Sequence, residues 1–183
     1  MKRTRHPAVA AALLLSLWLA ACSAASSPCT DPLGCLEIPA GSPLVLGALL
    51  ASAGEQAEEG EASLLGIQQA LDEAGELLGH PLELAQWDTD CSEKDARRGA
   101  TSLALNPEVI AVIGPTCPGQ YEVAAPIFSD AGLALLQPAP GLTAAADLTR
   151  SLLAAITRVA FQDAEGALHV PRQALLEALQ GTP

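Results

Sequence analysis

The segment Val109-Ile-Ala-Val-Ile-Gly114, with Pro115–Gln120 behind it, holds the most legible chemistry in the chain. It reads as a buried strand running into a helix that starts near Gln120. The first N–H groups of a helix have no intrahelical partner, and the helix dipole puts partial positive charge there. Such a turn suits an anion, for instance a carboxylate. Gly119, Gln120 and Tyr121 are placed to supply those groups. An ordinary strand-to-helix turn with water on its N–H groups would use the same residues. Asp88 and Asp90 form a pair that could hold a metal or exchange protons, although acids at a strand end more commonly just face solvent. The histidines, His6, His80 and His169, are scattered, and no Cys-x-x-Cys pair occurs, so no metal site is expected. Neither standard phosphate loop is present. No nucleophile, base and orienting group fall together. Trp87 and Tyr121 read as packing residues, with Tyr121 bordering the loop. The expectation is a binding protein without cofactor, not an enzyme.

Residues 1–21 join a basic start (Lys2, Arg3, Arg5) to an apolar run, Ala8–Leu19, that is too short to span a bilayer comfortably. Leu19-Ala20-Ala21-Cys22 resembles a bacterial lipobox. The resemblance implies a cleaved signal peptide and a lipid carried on Cys22 through a thioether. Acyl chains at about 0.8 kcal/mol per buried CH₂ make a durable membrane anchor. Ser23–Pro28 is small and polar and reads as a tether. The expected location is outside the cytoplasm, on the bacterial cell membrane. Loss of Lys2, Arg3 and Arg5 with the leader would take the net charge from -12 to -15. A surface that acidic repels phosphate backbones, so nucleic acid is not an expected partner.

In an oxidising compartment the even set Cys29, Cys35, Cys91 and Cys117 favours two disulfides, with three possible pairings. Cys29 and Cys35 flank turn residues, which makes a local bridge easy and leaves Cys91 and Cys117 to close a longer loop.

The elements that would position these residues follow from periodicity. Pro43–Leu50 is a continuous apolar run, as in a strand buried on both faces. Glu61–Leu78 repeats apolar residues at helical spacing, and Gly79-His80-Pro81 ends it. Leu82–Asp88 is a second strand. Ser92 caps a helix reaching about Leu105. Val109–Gly114 is the third strand, a helix covers about 120–130, and Leu133–Leu136 is the fourth strand. Helices are predicted over Asp147–Ala160 and from Pro171 to about Gln180. The fold class is α/β, a three-layer doubly wound parallel sheet with helices on both faces. The expected division is a signal peptide at 1–21, a lipidated cysteine and tether at 22–42, a lobe at 43–145 and a helical C-terminal segment at 146–183.

Several ordered features between Pro43 and Thr143 carry a resemblance. They are the loop at Gly54 with its helix, Gly79-His80-Pro81-Leu82-Glu83-Leu84, Asp88-Thr89-Asp90-Cys91, Val109 to Cys117, Ala125-Pro126-Ile127 and Ala131-Gly132. Together they resemble the receptor lobe of ABC-transporter substrate-binding proteins of the leucine/isoleucine/valine type. The resemblance implies the lobe of a type I periplasmic binding protein, a Cys91–Cys117 bridge, an amino acid as ligand and an ABC permease as partner. It also implies two ligand-holding segments, one after the second cysteine and one after the fourth strand. Here these offer Gly119, Gln120 and Tyr121, and Ala139, Gly141 and Thr143. The hydroxyls that such proteins use are replaced by Pro118 and by Pro138-Ala139-Pro140-Gly141. Val159–Leu179 looks like a piece from near such a protein's far end, which implies a single-lobe or internally shortened relative. The alternative expectation is a structural or interaction lipoprotein, or a shortened remnant, that has lost ligand binding.

Overall fold

The order of apolar runs along the chain reappears as strands and helices in the computed structural model, which describes residues 29–180. The elements are β1 (Cys35–Ile38), β2 (Leu44–Ala51), α1 (Ala57–Ala74), β3 (Glu76–Leu77), β4 (His80–Thr89), α2 (Glu93–Ala104), β5 (Val109–Ile113) and α3 (Gln120–Asp130). They continue as β6 (Ala134–Leu136), α4 (Leu142–Val159), β7 (Phe161–Gln162), β8 (Leu168–Pro171) and α5 (Arg172–Gln180). The expected leader, Cys22 and the Ser23–Pro28 tether lie outside the described residues.

Strands β4, β2, β5 and β6 lie side by side and parallel, in that order, with β3 antiparallel on the outer edge of β4. Every residue of β2 is buried, and its alternation separates two cores. Leu44, Leu46, Ala48 and Leu50 face a cluster containing Ile67 of α1 and Leu152 and Ile156 of α4. Val45 and Leu49 face the opposite cluster, with Leu103 of α2 and Phe128 of α3. A strand buried on both faces has no polar side to show, which is why its sequence is an unbroken apolar run. The architecture is therefore α/β in three layers, as expected.

Residues 161–180 pack on the lobe. Strands β1, β8 and β7 form a separate antiparallel sheet. Leu36, Ile38, Leu168, Val170 and Leu175 join the α1/α4 core from this sheet and α5. Strand β1 falls within the stretch expected as tether, and α4 runs through the expected boundary at 145/146. The two ends of the described stretch are fastened to each other. Cys29–Cys35 closes a short loop in which Asp31 accepts hydrogen bonds from the N–H groups of Leu33, Gln173 and Ala174, at 2.9, 3.2 and 3.1 Å. Asp31 thus caps α5 from the far end of the sequence.

Two carboxylates in loops beside this small sheet should make the fold acid-sensitive. Burial opposes ionisation of Asp31, but the three N–H donors outweigh it and hold its carboxyl below the usual range. The hydrogen bond with His169, whose Nε2 lies 2.9 Å from Oδ2, is the main cause lowering Asp163; the N–H groups of Ala167 and Glu165 add to it. Both folded values lie below the unfolded value of about 3.9. Their contribution is complete above that value and is lost as pH falls through the folded ones. Thermal melts between about pH 6 and pH 3 should show a falling Tm that Asp31→Asn makes flatter; an unchanged slope would remove Asp31 from the account.

Some boundaries differ from the periodicity, for local reasons. Helix α1 ends at Ala74 rather than Leu78, because Gly75 takes φ 66° and returns its N–H to Leu71 O. The next residues turn back as a hairpin through Leu78 and Gly79, both at positive φ, as a type I′ turn requires. Helix α4 starts at Leu142, before the expected Asp147. Pro171 ends β8 opposite Cys35 instead of opening the last helix.

Candidate functional site

Parallel strands joined by helices bring all their carboxyl ends to one edge of the sheet. Four loops meet there: 52–56 after β2, 90–92 after β4, 114–119 after β5 and 137–141 after β6. The chain goes from β2 to β4 on one side and then returns past β2 to β5, so the winding reverses between β2 and β5. In open α/β sheets the crevice at that reversal is where ligands bind.

The loops are held to one another by named bonds. Ala51 N–H donates to Thr116 Oγ1 at 2.8 Å, tying the end of β2 to the loop after β5. The Cys91–Cys117 disulfide joins the loops after β4 and β5, and Cys91 sits at φ 65°, a conformation a β-carbon disfavours. Gln120 Nε2 spans the same gap, donating to Thr89 Oγ1 at 2.9 Å and to Ser92 O at 3.0 Å. Gln137 Nε2 donates to Pro115 O at 3.2 Å, linking the third loop to the fourth. Gly114 approaches Leu49 so closely that a β-carbon would lie 2.2 Å from its carbonyl oxygen, so only glycine passes there.

Helices α1, α3 and α4 begin at this edge with no hydrogen bond from their own capping side chains. Helix α2 differs: Ser92 Oγ accepts from Asp95 N, as its position suggested. The acids considered for metal or proton chemistry are used locally. Asp90 accepts from Ser92 N at 2.9 Å, and its bonds to Ser92, side chain first and then backbone, hold its carboxyl below the usual range. Asp88 accepts from Gln86 on its own strand. Both acids are exposed.

The six candidate ligand residues fall at the starts of α3 and α4, which follow neighbouring strands. Gly119 is exposed, at φ 75°, and precedes the first turn of α3. Gln120 is 1% exposed, with its side chain turned inward to Thr89 and Ser92. Tyr121 is 41% exposed. Ala139 and Thr143 are exposed and Gly141 is half-buried. Gly141 N–H is already taken, donating to Glu59 Oε1 at 2.8 Å. Sequence reasoning did not single out Glu59, Thr116 or Gln137. Glu59 is one acid among several in Glu55–Glu61, so nothing local marks it.

A large groove lies beside these loops, not between them. Its volume is about 1010 Å³, and it runs along the open edge of β6 between α3 and α5, with Tyr121 and Gln137 at its carboxyl end and Leu33 at the other. No helix among the described residues is long and apolar enough to cross a membrane.

No family model matches the chain. No curated protein sequence matches it. Solved structures do. The leucine-binding protein LivK of Thermotoga maritima shares 26% identity at a TM-score of 0.50, over 52% of this chain and 27% of that one. An ABC transporter substrate-binding protein from Sphaerobacter thermophilus shares 28% identity at a TM-score of 0.50, over 52% of this chain and 26% of that one. The chain thus matches little more than a quarter of the length of these structures. The likeness to branched-chain amino acid ABC-transporter binding proteins is one of low identity over about half the chain, and the fold is that of a type I periplasmic-binding-protein lobe.

Proposed function

We propose that this chain is a solute-binding lipoprotein that works outside the cytoplasm. Cleavage after residue 21 leaves Cys22 as the lipidated N-terminus, residues up to 42 lead to the lobe, and the carboxyl edge of the sheet receives a small molecule. The ligand class is an amino acid, the partner an ABC permease, and the work is binding without chemistry. The observation that carries the reading is the meeting of the loops at the β2/β5 reversal with the uncapped starts of α1 and α3. Partial positive charge on free N–H groups beside a crevice suits the carboxylate of a small solute. The exposed start of α3, at Gly119 and Tyr121, and the segment leading into α4, at the exposed Ala139 and Thr143 and the half-buried Gly141, are the contact positions in this reading, with Gln120 holding the loops beneath them. The fold match supports it, because the similar structures are binding proteins for leucine and for ABC-transporter substrates.

A second reading has specific support: an interaction lipoprotein that kept the lobe and lost the ligand. Pro118 offers neither hydroxyl nor N–H, and Gly141 N–H is occupied by Glu59. Thermal melting of the oxidised chain separates the two. A millimolar panel of branched-chain and polar amino acids is added. A ligand at about 100 times its Kd stabilises by roughly 2.7 kcal/mol and raises Tm by several degrees. A shift with one class supports the receptor; a cooperative melt that no amino acid moves supports the interaction module. Mass spectrometry of the Cys22 peptide from cells decides the anchor, since an unmodified thiol there removes it.

A further inference from the structure

The segment before α4, Pro138-Ala139-Pro140-Gly141, contains no side-chain oxygen, so this helix cannot be capped from its own sequence. An uncapped start leaves N–H groups and dipole charge for an anion. The anion comes from another helix of the same chain. Glu59, in the first turns of α1, accepts the Gly141 N–H through Oε1 at 2.8 Å, and Ser63 Oγ donates to the same oxygen at 3.2 Å. The placement is set by backbone packing. At Gly66, one turn beyond Ser63, α1 meets α4 so closely that a β-carbon would lie 2.1 Å from Leu142 O. That crossing delivers Glu59 to the start of α4. Glu59 is half-buried, and its second oxygen, Oε2, makes no hydrogen bond among the described residues.

We propose that Glu59 is a specificity-determining residue: its carboxylate stands where a ligand carboxylate would bind at the start of α4, excludes one from that place, and turns Oε2 toward the ammonium group of an amine-bearing solute. The proposal rests on the solute-binding reading for its ligand half; the occupancy of Gly141 N–H stands without it. An amino acid in this crevice directs its amine to Glu59 and its carboxylate to the free N–H groups at the start of α3, where Gly119 and Tyr121 lie. The charge of Glu59, not its bulk, sets that direction, because two carboxylates on one N–H repel each other.

Two arms test this on the oxidised chain. The first needs no ligand. Glu59→Ala should speed amide exchange at Gly141 roughly tenfold by removing its acceptor, and millimolar acetate should slow it again, while acetate leaves the unaltered chain unchanged. An alanine variant whose Gly141 exchange ignores acetate, or an unaltered chain that responds as strongly, overturns the occupancy. If Glu59→Ala does not fold, Glu59→Gln keeps an acceptor for Gly141 and carries the second arm. There, leucine, 3-methylbutylamine and 4-methylpentanoate are compared by thermal shift. The unaltered chain should respond to leucine and the amine; Glu59→Gln should lose the amine response and keep any response to the acid, whose carboxylate has its place at the start of α3. An amine response that survives in Glu59→Gln, or a response to 4-methylpentanoate that Glu59→Gln abolishes as well, overturns the ligand half. Silence toward all three probes, with acetate rescue intact, overturns the solute-binding reading and leaves Glu59 as a structural cap.

Discussion

Gly66→Ala should destabilise the folded chain by about 2–4 kcal/mol, although alanine is the better helix former by about 1 kcal/mol. The sign is inverted by what lies opposite. An added β-carbon would fall 2.1 Å from Leu142 O and 3.0 Å from Ala146 N. Both are backbone atoms of α4, so no side chain can rotate away and the helices must separate. Separation would open the cluster in which Ile67 meets Leu152 and Ile156, and it would carry Gly141 away from Glu59. Urea unfolding measures the effect as a lower midpoint with a similar slope. Gln68→Ala, exposed on the same helix, is the control and should change stability by less than about 0.5 kcal/mol. Equal stability of Gly66→Ala and the unaltered chain would mean that α1 and α4 do not cross as described.

The second large effect is expected from Cys91→Ser with Cys117→Ser. The bond closes a loop of sequence separation 26, and the chain-entropy model gives such a loop about 3.5 kcal/mol. The loss should also reach the site. Cys91 holds φ 65°, and a non-glycine residue stays there only while its surroundings fix it. Released, the 90–92 loop can relax away from α3, taking the Ser92 carbonyl from Gln120. The paired variant should therefore unfold at markedly lower urea and show a weaker thermal response to any ligand found for the unaltered chain. Cys29→Ser with Cys35→Ser makes the comparison. Its loop is shorter, with separation 6, so the entropic loss is smaller and should fall on the β1/β8 sheet and α5 rather than on the carboxyl edge. Equal losses in both pairs, with the ligand response intact in both, would count against a site held by Cys91–Cys117.

The parallel lobe is legible in the amino-acid sequence because its signals are local. Leu44–Ala51 and Val109–Ile113 bury both faces, and that requirement is written in every residue of the run. Ser92 caps α2 as expected, since a cap needs only three residues of sequence. The candidate positions at 119–121 and 139–143 are legible to the same degree: they sit at the carboxyl edge because the strand order puts them there.

Elements that depend on distant partners are not legible in this way. Strands β1, β7 and β8 are short, and their ladders join Cys35 to Pro171 and Phe161 to His169; nothing in Cys35–Ile38 alone distinguishes a strand from a tether. Gln120 reads as a helix-start residue offering its N–H, yet its side chain is buried, turned inward to Thr89 and Ser92 on a neighbouring loop. By itself, then, the amino-acid sequence determined the order of strands and helices, the two-faced burial of the sheet and the edge at which the loops gather, since each follows from periodicity and chain connectivity. Only the tertiary structure decided that Asp31 caps α5 and that Glu59 occupies the start of α4. A carboxylate's partner is chosen by which helix the packed core brings to it, and no spacing along the chain records that choice.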